Sequence, residues 1–291
     1  MKSSSQYFPV ALLSAEYKEG IYEDVYSLKP NTSTDNTVEI ALVRLHSEQV
    51  SRGHPVLLVH DAFSNHWQWL DYGVGGVAGA LVRAGYDVWL MDWRGHGLSS
   101  RNQRPSLNTL DAMAEFDLPP VIRFIEEKTS QLPTLVSQGF GCEMVLQHAA
   151  VKQYQANVVL LNASPVWPRR VFWIPGVKAW HRVRLGLRRW HRKEGREEAE
   201  PATLFRQLLR RQGWFGRWRG YDRELMKPRL KAVESRLYWV LSSHQADSGL
   251  GRFGLDPKRA ITGAGARDWL ALIASISPTH KPVVQEGHHE S

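Results

Sequence analysis

Residues 133–142 read Pro-Thr-Leu-Val-Ser-Gln-Gly-Phe-Gly-Cys, PTLVSQGFGC. A short apolar run meets a turn punctuated by two glycines, and EMVLQHAA (143–150) after it has helical spacing. Units of strand, tight turn and helix are where α/β enzymes present a nucleophile, because the strained bend holds one side chain clear of both elements. The stretch poses a choice for that tip between Ser137 and Gly139, and a glycine carries nothing that can attack.

The flanking sequence repeats the same alternation. HPVLLVHDAFSN (54–65), YDVWLMDWRGHG (86–97) and NVVLLNAS (157–164) are apolar runs ending in polar turns, as strands buried on both faces of a parallel sheet read. GGVAGALVRAG (75–85) and LDAMAEFDLPPVIRFIEEKT (110–129) lie between them with helical spacing, the second with a break expected at its Pro pair. VEIALVRLH (38–46) and IYEDVYSLKP (21–30), joined by a polar turn, predict an antiparallel hairpin at the front edge. The alternation stops after Ser164. It resumes with RLYWVLSS (236–243), a long Gly-containing loop, a short helix at GARDWLALIASI (265–276) and a last strand within HKPVVQEGHH (280–289). This order predicts an α/β protein with a mostly parallel sheet and helices on both faces. Residues 1–164 and 232–291 form its core, and 165–231 is an insertion.

Of the 291 residues 43% are hydrophobic and 23% charged, which excludes a disordered chain and allows a sizeable core. One cysteine leaves no intramolecular disulfide framework and fits a reducing compartment. The first seventeen residues read as no secretion signal, and no run of about eighteen apolar residues is present to span a membrane. A cytoplasmic protein is expected. There is no Cys/His metal spacing, and GVGGVAG (73–79) follows no strand and lacks the Lys-Ser/Thr of a phosphate loop. No metal or cofactor is expected.

Four of these segments, in order, resemble the motifs of the α/β-hydrolase superfamily, of the esterase or lipase-like kind. VLLVHDAFSN is similar to that family's strand ending in His-Gly. YDVWLMDWRGHGLSS resembles its D-x-R-G-H-G-x-S turn, LVSQGFGCEMVLQHAA its nucleophile elbow, and VVLLNASPV the strand that follows. The resemblance implies an eight-stranded sheet with a helical cap inserted after the sixth strand. The chemistry it implies is acyl transfer, in which an elbow nucleophile, a histidine and an acid act together over an oxyanion hole. The hole's donors would be the main-chain N–H groups of Ala62 and Phe140. Asp61 stands where family members usually have glycine, so a carboxylate neighbours a pocket built for negative charge.

The family elbow reads small-x-nucleophile-x-small. Ser137-Gln138-Gly139-Phe140-Gly141 satisfies both small positions and puts Gly139 at the nucleophile position, leaving it vacant. The alternative register, Leu135-Val136-Ser137-Gln138-Gly139, supplies Ser137 as nucleophile but puts Leu135 where a small residue is required. Cys142 reads as a small buried residue of the first helical turn. His288 in QEGHHES resembles the base, with His289 behind it; the helix that normally follows is missing. Asp247 is the candidate acid, with Asp268 as the other choice. His60, Asp92 and His96 read as residues that shape the loops around the site, and Arg94 as a local salt-bridge partner. A small hydrophobic or ester ligand is implied, with serine-hydrolase chemistry impaired or lost. The competing expectation is an active carboxylic-ester hydrolase using Ser137, His288 and Asp247. The N-myc-downstream-regulated proteins resemble this chain in carrying glycine at the elbow.

The net charge of +8 is concentrated in the insertion, where residues 165–220 hold fifteen Lys and Arg against four Glu. Six of the twelve tryptophans fall there too, among them Trp173, Trp180, Trp190, Trp214 and Trp218. Val177, Trp180 and Arg184 share one predicted helical face; Leu204, Phe205, Leu208 and Leu209 form an apolar stripe on another. Basic, Trp-bearing amphipathic helices suit an anionic membrane surface, so 171–220 offers a peripheral contact. The plainer expectation is a cap whose stripe packs on the core with its arginines solvated. No nucleic-acid-binding motif accompanies the charge, which argues against that partner.

Overall fold

The computed structural model describes residues 3–47, 53–70, 76–163, 174, 176–187, 189–211, 218–241, 255, 260–262 and 266–277. Its main sheet is built from β1 (Val10–Lys18), β2 (Ile21–Leu28), β3 (Ile40–Ser47), β4 (Pro55–Val59), β5 (Asp87–Met91), β6 (Thr134–Gln138), β7 (Val158–Leu161), β10 (Leu237–Leu241) and β11 (Ala260–Thr262). The strand order is β1-β2-β3-β5-β4-β6-β7-β10-β11. β1, β2, β3 and β5 pair antiparallel, and every later pairing is parallel.

The parallel strands are buried on both faces, which is why they read as unbroken apolar runs. Along β4, Val56 and Leu58 face one core cluster while Leu57 and Val59 face the other. On the first side lie α1 (Gly76–Arg83) and α8 (Ala266–Ile276), the latter through Trp269 and Ile273. On the other lie α3 (Leu118–Thr129), α4 (Gly141–Lys152) and α7 (Met226–Val233). The break expected near the Pro pair is a change of helix type. A short α2 (Leu110–Ala112) passes through a π-turn at Met113–Asp117, and α3 then restarts with Pro119 and Pro120 in its first turn, where missing N–H groups cost nothing.

Two strands differ from expectation. The sheet has nine strands among the described residues rather than eight, because Val10–Lys18 adds an edge strand beyond the predicted hairpin. The Gly-containing loop after β10 includes β11, which pairs parallel with β10 from Trp239↔Ala260 to Leu241↔Thr262. The strand expected within 280–289 lies outside the described residues.

Between β7 and β10 the chain carries α5 (Val177–Gly186), an antiparallel pair β8 (Trp190–Arg192) and β9 (Ala199–Pro201), α6 (Ala202–Arg211) and then α7. Leu204 and Leu209 of α6 are buried with Phe205 and Leu208 partly so, and Met226, Leu230 and Val233 of α7 enter the core. Around α5 the pattern differs: Trp180 and Val183 on the helix and Leu187 just after it are exposed, Leu187 at 78%, while Val177 and Leu185 are half-buried. Among the described residues no helix is long and apolar enough to cross a membrane.

Candidate functional site

β6 ends at Gln138 and α4 begins at Gly141, so Gly139 and Phe140 make the whole connection at the carboxyl end of the central strands. Gly139 has a φ of +56°, the left-handed region that glycine enters without penalty. Gly141 sits where an added Cβ would be 2.5 Å from the main-chain oxygen of His60, so the helix start lies hard against the end of β4. Ser137 belongs to the strand. It pairs with Val59 and Leu160, is fully buried, and its Oγ has no hydrogen-bond partner. Cys142 is buried too, and its thiol, donating to the Ser137 carbonyl at 3.3 Å, is pushed up to about 12 by burial.

The loop after β4 folds over the glycine. Asp61 Oδ1 accepts from the main-chain N–H groups of Ala62 and Phe140, each at 2.7 Å. A Cβ built on Gly139 would land on the Asp61 carboxyl carbon and both its oxygens. The carboxylate thus fills the space a side chain at 139 would enter, and takes the two N–H groups that converge there. Burial pushes the Asp61 carboxyl above the usual range, and the two N–H groups, with the charges of Arg196 and Lys193, only partly counter it. Behind it, Asp61 N–H donates to Gln68 Oε1 at 3.1 Å and Gln68 Nε2 donates to Gln138 Oε1 at 2.9 Å, which ties the loop to the last residue of β6.

The neighbouring histidines are committed to the loops. His60 is fully buried and stacks on Trp93; its Nδ1 donates to the Asp61 carbonyl at 2.7 Å and its Nε2 accepts from Trp93 N–H at 3.1 Å. Burial, reinforced by His96, pushes its pKa down to about 4, so the ring is neutral. Asp92 accepts from His66 N–H (2.7 Å), His66 Nδ1 (2.7 Å) and Leu98 N–H (2.8 Å). Burial opposes its charge, yet these donors hold it below the usual carboxylate range. Arg94 makes the expected local salt bridge, with a fully buried bidentate partner in Asp117 at 2.7 and 2.5 Å.

A second acidic group reaches the site from the insertion. Glu200 of β9 is fully buried; its Oε1 accepts from Phe63 N–H at 2.8 Å and faces His96 Nε2 at 3.1 Å. Burial works against both charges, but their attraction prevails: His96 is raised and Glu200 lowered. Glu198 accepts from Gly97 N–H, and Asn65 Nδ2 donates to both Glu197 and Glu198. Phe205 of α6 stacks on Phe63 and meets Phe140 edge-on, with centroids 5.6 and 5.8 Å away. Nothing in the sequence marks Glu200 or Phe205, since one lies in a charge run and the other in an ordinary apolar stripe. Among the described residues no three His, Cys, Asp or Glu side chains group as metal ligands. His288, His289 and Asp247 lie outside the described residues; Asp268 is on α8, and its side chain is likewise outside them.

A parallel-centred sheet with this order, a glycine-apexed turn between its central strand and a buried helix, and a converging pair of N–H groups together define an α/β-hydrolase fold. The Alpha/beta hydrolase family matches residues 56–288, and the chain belongs to that family. Human lipase member N is 35% identical over 126 residues, covering 40% of this chain and 30% of the lipase. Rat gastric triacylglycerol lipase is 34% identical over 93 residues, covering 29% and 24%. The chain therefore spans less than a third of the length of either lipase. Among solved structures, a PEG-bound cold-adapted esterase from an Arctic intertidal metagenomic library covers 87% of this chain and 88% of its own at 16% identity and a TM-score of 0.51. A mutant N-acyl homoserine lactonase complexed with N-hexanoyl homoserine lactone covers 86% and 95% at 13% identity and a TM-score of 0.52.

Proposed function

We propose that this esterase/lipase-like protein has given up serine-hydrolase chemistry and acts by binding a small hydrophobic acyl or ester ligand. One observation carries the reading. The Asp61 carboxylate sits over Gly139, where a nucleophile's side chain would project, and accepts both N–H groups that an oxyanion would need. A hydrolase without its nucleophile keeps a residual rate of roughly 10³–10⁴ over water from the oxyanion hole and binding alone. With the hole already occupied by an Asp61 oxygen, much of that residue should go as well. Ser137 is a poor substitute, because among the described residues its buried Oγ lacks any partner to take its proton. The aromatic group Phe63, Phe140 and Phe205 gives an acyl chain an apolar surface beside the apex. The lactonase mutant above holds an acylated lactone on the same fold, and the lipase resemblance points to the same ligand class.

The test is covalent labelling of the full chain with a fluorophosphonate, read by intact mass and peptide mapping, beside a fluorescence titration with methyl hexanoate. No adduct and a saturable titration are expected. An adduct on Ser137 would restore the active-hydrolase reading with His288 and Asp247 as partners.

A second reading has its own observation. Trp180, Val183 and Leu187 lie at helical spacing on and just after α5, all exposed, among Arg182 and Arg184. Such a face suits the headgroup level of an anionic membrane. Sedimentation with phosphatidylserine vesicles should exceed that with phosphatidylcholine and drop in Trp180→Ser; equal, low binding to both would end this reading.

A further inference from the structure

A separate site lies at the junction of the insertion and the core. A cleft of about 630 Å³ opens between the turn at 103–106, ahead of α2, and the start of α6. Arg104 enters it from that turn, Arg189 from the approach to β8 and Arg206 from the second turn of α6. Among the described residues no aspartate or glutamate lines it, and none of the three guanidinium groups is in a salt bridge. The nearby Asp35 is already committed: it accepts from Asn102, Thr37 and the main-chain N–H of Arg104. Arg206 is half-buried, so its charge is not simply solvated.

The other walls favour the same sign of ligand. Pro201, Ala202 and Thr203 line the cleft with the first turn of α6, a ten-residue helix with no acidic residue there. Ala202 N–H is taken by the Arg189 carbonyl, but Thr203 Oγ1 is buried without a partner. Three arginines lining one cleft beside the positive end of a helix favour an anion among them.

We propose that this cleft binds a phosphate group, held by Arg104, Arg189 and Arg206. A phosphomonoester matches the set better than a carboxylate, since it offers three oxygens and nearly two charges to planar, forked donors. The cleft has room for more than the phosphate, and half-exposed Trp190 on its wall gives an attached apolar group a surface to lie on. The source is either a soluble phosphoryl compound or a lipid headgroup. The site is independent of what happens at Gly139.

Two probes of the full chain test it: calorimetric titration with inorganic phosphate in chloride buffer of constant ionic strength, and sedimentation with phosphatidylcholine vesicles with or without phosphatidic acid. Binding should weaken about tenfold or more in Arg189→Gln and in Arg206→Gln, as expected for losing a charge-assisted hydrogen bond. It should hold in Arg83→Gln, an exposed arginine of α1 outside the cleft. Arg189 is exposed, so its replacement leaves the fold intact. Phosphate binding in solution without a vesicle response assigns a soluble ligand. Phosphatidic-acid-dependent sedimentation, lost in Arg189→Gln and competed by phosphate, assigns a headgroup. No binding in either arm, or equal loss in Arg83→Gln, overturns the proposal.

Discussion

At Gly139 and Asp61 each residue makes room for the other. The glycine leaves a volume at the apex, and the carboxylate fills it. Gly139→Ser should therefore destabilise by about 1–3 kcal/mol, through overpacking against Asp61 and a left-handed φ that serine adopts poorly. In an Asp61→Gly background the same change should cost less, with a coupling of roughly 1 kcal/mol or more in urea unfolding. Strictly additive costs would show that the two sites do not share that space. Titration supplies a second residue-scale expectation. His60 and His148 are buried neutral, each pushed down to about 4 chiefly by burial. A depressed pKa means the unfolded chain takes up the proton first, so the stability held above about pH 6.5 is lost as pH falls toward 4. The loss is on the order of 3 kcal/mol for each ring. His96, being raised, acts in the opposite sense: its contribution is present below about pH 6.5 and fades as pH rises through its folded value. His148→Leu should flatten the acid limb in a pH series of denaturation midpoints, and an unchanged limb would exclude His148 as a source.

At the scale of elements, the turn after β5 is bound to the π-turn between α2 and α3 by a buried ion pair, Arg94 with Asp117. Removing one partner strands a charge in the core, so Asp117→Asn should cost about 3–5 kcal/mol in chemical denaturation. A cost below about 1 kcal/mol would mean that water or another group already satisfies the arginine. The Arg94 side of this pair was readable from the D-W-R-G-H-G turn. Its partner was not, since Asp117 sits within the predicted helix 110–129 and nothing in the local pattern singles it out. The edge strand β1 was missed for a related reason. An edge strand exposed along most of its length carries little apolar pattern, and its residues beyond Val10 are mostly exposed.

At the scale of the whole molecule, the insertion is docked over the apex by acidic side chains that come from a strongly basic segment. Glu197, Glu198 and Glu200 bond to Asn65, Gly97, Phe63 and His96 on two core loops. Replacing Glu198 and Glu200 together with Gln should loosen that contact and speed tryptic cleavage at the exposed Lys193 and Arg196. The core should keep most of its cooperative unfolding, because its two apolar clusters lie mainly against the sheet. Unchanged cleavage kinetics would place the docking energy in the aromatic contacts of Phe205.

The central strands, the helices between them and the glycine-punctuated turn from β6 to α4 were written in local patterns, because apolar periodicity and Gly placement act over a few residues at a time. Asp61 could be flagged as a carboxylate in a glycine's place, but not aimed. Whether it pointed into the N–H pair or into solvent depended on the space above Gly139 and on Gln68 tying down its loop. The same holds for Glu200 and for the three arginines of the cleft, which come from segments far apart in the chain. Tertiary packing alone decides which charges are brought together and which are left without a partner, since burial and distance set their energies and neither is a property of the local sequence.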